Sequence, residues 1–216
     1  MLITAHGGAL GTGRNTPKYF ETIKEYKVDA IEVDIHMRAG ILYISHLPKL
    51  FYHKTLPLSF VFEYLKETPF LVNCDVKRTG LVAPVIKLAS VYNVQDRLYF
   101  TGAISKKDLA DATNGDIYLN AGFFSPVRVT AANLELIAEK ISLLDCQNVK
   151  GLNLNYKSIN NVFLDKAKEL GLALSLYTVD DKDKLKELLA RKELANITTN
   201  RVDIALDYLN SDPLCT

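Results

Sequence analysis

Two stretches decide the fold: Ala30-Ile31-Glu32-Val33-Asp34-Ile35-His36 and Phe70-Leu71-Val72-Asn73-Cys74-Asp75-Val76-Lys77. Each is an apolar run broken at every second position by a polar residue. Strand geometry sends residues i and i+2 to one face. Glu32 and Asp34 therefore project together, and so do Asn73, Asp75 and Lys77. Strands of a parallel sheet are buried on both faces and usually read as unbroken apolar runs. Carboxylates inside such runs call for a chemical reason.

Working outward, the same kind of run recurs at Leu2–His6, Leu98–Gly102, Asp116–Ala121, Gly151–Tyr156, Ala173–Val179 and Asn196–Asn200. Helix-like stretches begin between them near Pro17, Pro57, Leu81, Lys106, Thr130, Ser158, Asp181 and Arg201. Thr16 before Pro17 has the form of a capping residue followed by proline in the first turn. Gly171 stands where a helix C-cap glycine belongs. Strand alternating with helix eight times predicts parallel strands with crossover helices, the count that closes a (β/α)₈ TIM barrel. Ile41–His46, after Arg38-Ala39-Gly40, reads as a hairpin extension of the second strand. An open doubly wound sheet is the structural alternative, but Gly7-Gly8 and Gly11-x-Gly13 lack its glycine fingerprint. No linker interrupts the pattern, so residues 1–216 are expected to form a single barrel domain.

The 216 residues are 48% hydrophobic and 24% charged, with a net charge of +1. That suits one core and gives no compositional argument for a nucleic-acid or membrane-surface partner. No apolar run approaches the ~20 residues of a membrane span. Cys74, Cys146 and Cys215 show neither zinc spacing nor a disulfide framework. A reducing compartment is the simpler reading, and with no signal peptide apparent a cytoplasmic location is expected.

Neighbouring strands lie ~4.8 Å apart, so Glu32, Asp34 and Asp75 can converge. Three close carboxylates repel one another unless protonated or neutralised. A hard divalent cation, Mg²⁺ or Ca²⁺, takes such oxygen ligands. Zinc fits less well, because neither Cys nor His falls at a suitable position on these faces and Cys74 points the other way. The bland alternative is a hydrated acidic face. His6 ends the first strand and His46 the hairpin extension; two imidazoles beside one metal can serve as general base and general acid. His36 shares the Glu32/Asp34 face beyond the barrel mouth, where a structural or rim role is expected. His53 has no supporting pattern.

At this point the motifs resemble a known family. His6-Gly7-Gly8-Ala9 with Asn15-Thr16 resembles the opening His-Arg-Gly-Ala…Glu-Asn-Thr of the glycerophosphodiester phosphodiesterases. Residues 30–36 resemble their Glu-x-Asp-Val-His strand, and Tyr43-Ile44-Ser45-His46 the strand ending in their second catalytic His. Residues 73–77 are similar to Asn-Ile-Glu-Ile-Lys, residues 171–180 to Gly…Val-Trp-Thr-Val-Asn, and Ile197-Thr198-Thr199-Asn200 to Ile-Thr-Asp. The resemblance covers nearly the whole chain, in order. It implies a barrel of the phospholipase-C-like phosphodiesterase type that hydrolyses a small phosphodiester to glycerol 3-phosphate and an alcohol. It implies metal binding through Glu32, Asp34 and Asp75, acid/base roles for His6 and His46, and Lys77 and Tyr177 near the phosphate.

The departures are specific. The family Arg after the first His is Gly7 here, and the Asp after the second is Leu47. The third ligand is Asp75 rather than Glu, and the insertion after the second strand is reduced. Arg14, in the shortened first loop, could supply the missing guanidinium; a solvated loop charge is its plainer reading. Two rivals follow: a non-catalytic metal-binding barrel, and a sphingomyelinase-D-like lyase forming a cyclic phosphate. A sugar-phosphate aldolase or isomerase barrel would need a Schiff-base lysine or a phosphate loop, neither of which is evident.

Overall fold

The computed structural model describes residues 1–112, 115–144 and 146–211; Cys215 lies outside them. Its strands are β1 (Leu2–Ala5), β2 (Ala30–Arg38), β3 (Ile41–Ile44), β4 (Leu71–Val76), β5 (Leu98–Gly102), β6 (Asp116–Asn120), β7 (Val149–Asn155), β8 (Ala173–Tyr177) and β9 (Asn196–Thr199). The helices are α1 (Pro17–Ile23), α2 (Leu58–Lys66), α3 (Val82–Tyr92), α4 (Lys106–Asp111), α5 (Leu134–Ser142), α6 (Asn161–Glu169), α7 (Lys182–Leu189) and α8 (Val202–Ser211). Strand order is β1-β9-β8-β7-β6-β5-β4-β2-β3, and β1 also pairs with β2. Eight parallel strands thus close on themselves, leaving no edge among them, and β3 lies antiparallel on the outer end of β2. The (β/α)₈ expectation holds.

Local chemistry explains the joints. The Thr16 hydroxyl accepts the Tyr19 amide hydrogen at the start of α1. Asn160 and Asp181 cap α6 and α7 in the same way. Gly171 takes φ +63 after α6, the left-handed turn that suits glycine. Ala39 and Gly40 carry φ +49 and +78, a two-residue hairpin loop between β2 and β3. Some boundaries move. β3 ends at Ile44, two residues before His46, although Ser45 N still donates to the Asp34 carbonyl at 2.9 Å. The turn at Ala131–Asn133 is 3₁₀ and hands over to α5 only at Leu134.

Alternation along the strands sorts the barrel. Ile31, Val33, Ile35, Val72, Cys74, Val76, Leu152 and Leu174 face outward into the main core under the helices. The inward residues form layers. A small apolar layer of Ala30, Tyr99 and Tyr118, with Leu71 and Ala173 against it, closes the N-terminal end. Above it runs a chain of polar side chains. The Tyr99 hydroxyl meets the Thr4 hydroxyl at 2.7 Å, and Thr4 donates to Asn196 Oδ1 at 2.6 Å. Asn196 Nδ2 donates to Ser175, Ser175 to Asn153 Oδ1, and Asn153 Nδ2 to Asn120 Oδ1, at 2.8–2.9 Å. Six strands are tied by side chains through the middle of the barrel. Buried amides and hydroxyls are tolerated there because each finds a partner.

Candidate active site

The C-terminal mouth of the barrel holds a cavity of about 940 Å³. His6, Arg14, Glu32, Asp34, His46, Asp75, Lys77 and Tyr177 all contribute to its wall. Every residue singled out for chemistry in the sequence therefore comes to one place.

Strand register builds its acidic centre. Asp34 pairs directly with Asp75 across β2 and β4, and Glu32 with Asn73 one step deeper. One carboxylate oxygen from each of Glu32, Asp34 and Asp75 lies within 4.8 Å of the others. Lys77 Nζ sits 2.5 Å from both Asp34 Oδ1 and Asp75 Oδ2. One ammonium thus faces three carboxylates. Burial, and then the charges of Asp34 and Asp75, push the Glu32 carboxyl well above the usual range. Burial also raises Asp75, against the pull of Lys77. Burial works in the same sense on Asp34, but Lys77, the Asn15 amide and His46 outweigh it and hold that carboxyl low. Lys77 is kept charged: Asp75 and Asp34 more than offset its desolvation. A pocket of crowded, partly buried carboxylate oxygens with no soft donor among its ligands fits a hard divalent cation.

Loops position this centre. Gly7 N donates to Glu32 Oε2 at 2.7 Å. A Cβ on Gly7 would lie 2.9 Å from that oxygen and 3.0 Å from the Glu32 carbonyl. A side chain there would press on Glu32 and shift its carboxylate. Asn15, at φ +54, donates through Nδ2 to Asp34 Oδ2 at 2.9 Å and accepts the Asp34 amide hydrogen at 3.3 Å. Gly102, at φ +94, clears space for Asp75; a Cβ there would collide with the carboxylate.

The histidines differ. His6 is mostly buried, and burial lowers its pKa. Its Nδ1 lies 3.0 Å from Asn200 Oδ1. Asn200 Nδ2 donates to Asp180 Oδ2 at 2.7 Å, and Asn200 N to Asp180 Oδ1 at 2.8 Å. A carboxylate accepts only, so the Asn200 amide must turn its oxygen to His6, and His6 must carry its proton on Nδ1. Nε2 is then the basic nitrogen. His46 is half exposed, with Nδ1 3.4 Å from Asp34 Oδ2. His36 is buried and stacks on Tyr43 at 5.6 Å, with Nε2 unpartnered. It does not line the cavity, in keeping with a structural or rim role. His53 lies in the 3₁₀ turn Tyr52–Lys54, edge-on to Phe51 and Tyr52.

Arg14 is exposed at the cavity lip, packed on the Gly8 backbone and close enough to His6 to disfavour a second positive charge there. Tyr177 is half buried, and burial raises its hydroxyl pKa. Asn15, Asn200, Asp180 and Gly102 were not read as site residues from the sequence. Asn15 and Asn200 stood within motifs, but their partners are 19 and 194 residues away.

No protein-family model and no curated protein sequence matches the chain. Solved structures do. A phosphodiesterase from Oleispira antarctica, in complex with the product sn-glycerol-3-phosphate, is 18% identical with a TM-score of 0.72, covering 98% of this chain and 97% of its own. A glycerophosphodiester phosphodiesterase from Parabacteroides distasonis is 16% identical, TM-score 0.72, covering 97% of each chain. One from Agrobacterium tumefaciens is 14% identical, TM-score 0.71, covering 97% and 99%. Over nearly its whole length, this chain has the (β/α)₈ barrel fold of the glycerophosphodiester phosphodiesterases.

Proposed function

We propose that the protein is a metal-dependent phosphodiesterase that hydrolyses glycerophosphodiesters to glycerol 3-phosphate and an alcohol. The observation that carries this reading is the meeting of His6, His46 and Lys77 in one cavity with the Glu32–Asp34–Asp75 cluster. The glycerol-3-phosphate complex of the Oleispira barrel supports the substrate class. Glu32, Asp34 and Asp75 would hold Mg²⁺ or Ca²⁺, with Asp75 in the place of the family Glu. When bound, such a cation polarises a phosphoryl oxygen as a Lewis acid.

The side chains divide the proton work. His6, its Nδ1 hydrogen engaged by Asn200, presents Nε2 as general base to the attacking water. His46, with Nδ1 toward Asp34, delivers a proton to the departing alkoxide. The new P–O bond forms as the ester P–O bond to the alcohol breaks. Lys77 and Tyr177 bind the phosphate; Arg14 closes on it from the lip.

A lyase outcome is the second reading, favoured by the short cover between His46 and α2. There the substrate's own hydroxyl would attack, gaining from proximity, and a cyclic phosphate would appear first. Phosphorus NMR of a panel of glycerophosphodiesters and lysophospholipids, with and without Mg²⁺ or Ca²⁺, tests both. Metal-dependent release of glycerol 3-phosphate supports hydrolysis. A cyclic phosphate supports the lyase. No turnover of any member, with metal still bound, leaves a binding barrel and overturns the proposal.

A further inference from the structure

The loops that leave the C-terminal ends of the barrel strands differ sharply in charge from the rest of the molecule. By sequence these are residues 6–16, 38–57, 77–81, 103–105, 121–133, 156–160, 178–181 and 200–201. They carry nine Lys and Arg: one in the first segment, three in 38–57, two in 77–81 and one each in 121–133, 156–160 and 200–201. Against them stand two carboxylates, Asp180 and Asp181. Both are engaged, Asp180 with Asn200 and Asp181 as the cap of α7. Setting aside Lys77, which is paired with Asp34 and Asp75, and Arg201, which is paired with Asp203, seven cations remain on this face. The described residues of the opposite loops carry five of each sign. The net charge of +1 conceals this polarity.

A basic mouth alone could serve to attract a small anionic substrate. The segment after His46 adds something that such a role does not use. From Ile35 to Phe62 the chain has no carboxylate, and its cations are Arg38, Lys49 and Lys54. Leu47, Leu50 and Phe51 are 61%, 64% and 60% exposed, and none of them lines the cavity. Apolar side chains this exposed, grouped within five residues, mark a contact surface.

Nor is this a loose loop that happens to trail outward. Lys49 N donates to the Tyr43 hydroxyl at 3.1 Å, Lys54 N to the Phe51 carbonyl at 3.1 Å, and Thr55 Oγ1 to the Tyr52 carbonyl at 2.5 Å. The Tyr52 ring packs on Tyr43 at 5.7 Å. The backbone is pinned from below while Leu50 and Phe51 face water, and Lys54 Nζ stands 5.6 Å from the Phe51 ring. Leucine and phenylalanine at a tip, flanked by lysines within a basic face, match an interface of apolar chains beneath anionic headgroups.

We propose that residues 47–54 dock the barrel mouth onto an anionic lipid surface, with Leu50 and Phe51 entering the headgroup boundary and the surrounding Lys and Arg facing lipid phosphates. If the cavity is the phosphodiesterase site proposed above, it then opens toward the bilayer, and diesters that carry an acyl chain, such as lysophospholipids, reach it without crossing bulk water.

The test is co-sedimentation of the full chain with vesicles of phosphatidylglycerol and phosphatidylcholine in equal parts, and with pure phosphatidylcholine. Expected is binding to the anionic vesicles that weakens with added salt, and little to the neutral ones. The double variant Leu50→Ser with Phe51→Ser should bind at least ~10-fold more weakly with its thermal midpoint unchanged, since both side chains face solvent. Lys49→Gln with Lys54→Gln should weaken anionic binding and flatten its salt dependence. No binding to either vesicle overturns the proposal. Binding indifferent to Leu50 and Phe51 overturns it in favour of charge attraction alone. Self-association that those substitutions abolish, without vesicle binding, assigns the patch to a second copy and overturns it too.

Discussion

Asn15 shows how much a neutral residue can decide at an acidic centre. It ties both the carboxylate and the amide of Asp34, and so fixes which way one of three candidate ligands points. Partners of ligands commonly carry 10–100-fold of metal affinity. Asn15→Ala is therefore expected to weaken Mg²⁺ or Ca²⁺ binding by about that factor, read by calorimetry, while the fold persists. Unchanged affinity would show that the carboxylates orient themselves. His6→Ala should lower turnover ~10²–10⁴-fold if His6 is the base. Asn200→Ala should act on the same step more weakly, because it frees the imidazole to exchange tautomers. An Asn200→Ala enzyme with full turnover and an unaltered pH profile would remove the Asp180–Asn200–His6 chain from the mechanism. The carboxylates and histidines were legible in the sequence because charge inside an apolar strand is conspicuous and strand period fixes its direction. Asn15, Asn200 and Asp180 were not, because asparagines and aspartates fill loops everywhere and only the closed barrel brings β9 beside β1.

Among the described elements, α4 is the shortest α-helix, six residues from Lys106 to Asp111, and depends on its start. Asp108 is fully buried. Its carboxylate accepts the Ser105 hydroxyl at 2.5 Å, the Ser105 amide at 2.9 Å and the Gly80 amide at 2.8 Å. It thereby stitches the loop after β4, which carries Lys77, to the helix after β5. Burial alone would raise the Asp108 pKa; the donors from Ser105, Gly80 and Val82 outweigh it and hold it below the ordinary value. A depressed carboxylate contributes stability that is present above its unfolded pKa and is lost as pH falls through its folded pKa. The contribution should be complete at neutral pH and fade in the acid range below about pH 4. Asp108→Ala should cost roughly 1–3 kcal/mol at pH 7, and denaturation at pH 7 and pH 3 should show the gap narrowing. An equal gap at both values would mean the effect is packing rather than charge. The eight-fold order of elements followed from periodicity, whereas this stitch did not. A capping box is visible in Ser105-x-x-Asp108, but the third donor, Gly80, belongs to another helix's loop.

For the whole molecule, a cation at Glu32, Asp34 and Asp75 would relieve repulsion stored across β2 and β4, two strands of one closed barrel. A ligand that binds only the folded state stabilises it by about 2.7 kcal/mol at a hundred times its dissociation constant. Thermal midpoints should therefore rise with Mg²⁺ or Ca²⁺ and fall back with chelator. Glu32→Gln should remove most of that dependence while raising the metal-free midpoint, since an amide cannot ionise beside Asp34 and Asp75. A metal-independent midpoint in the wild-type chain would argue against the site.

The polar chain from Tyr99 to Asn120 bears on ancestry. Its hydrogen bonds all run in one sense, each residue's donor or acceptor choice being imposed by the residue before it. A change at Ser175 or Asn153 leaves a neighbour on each side mismatched, whereas a change at exposed Val91 leaves none. Neighbours in one network do not mutate independently. These six positions should drift as a block: a library randomised at Thr4, Ser175, Asn153 and Asn196 and selected for folding should return correlated sets rather than independent preferences. If the survivors vary freely at each position, the barrel interior forgets its direction, and descent with modification could pass through it one residue at a time.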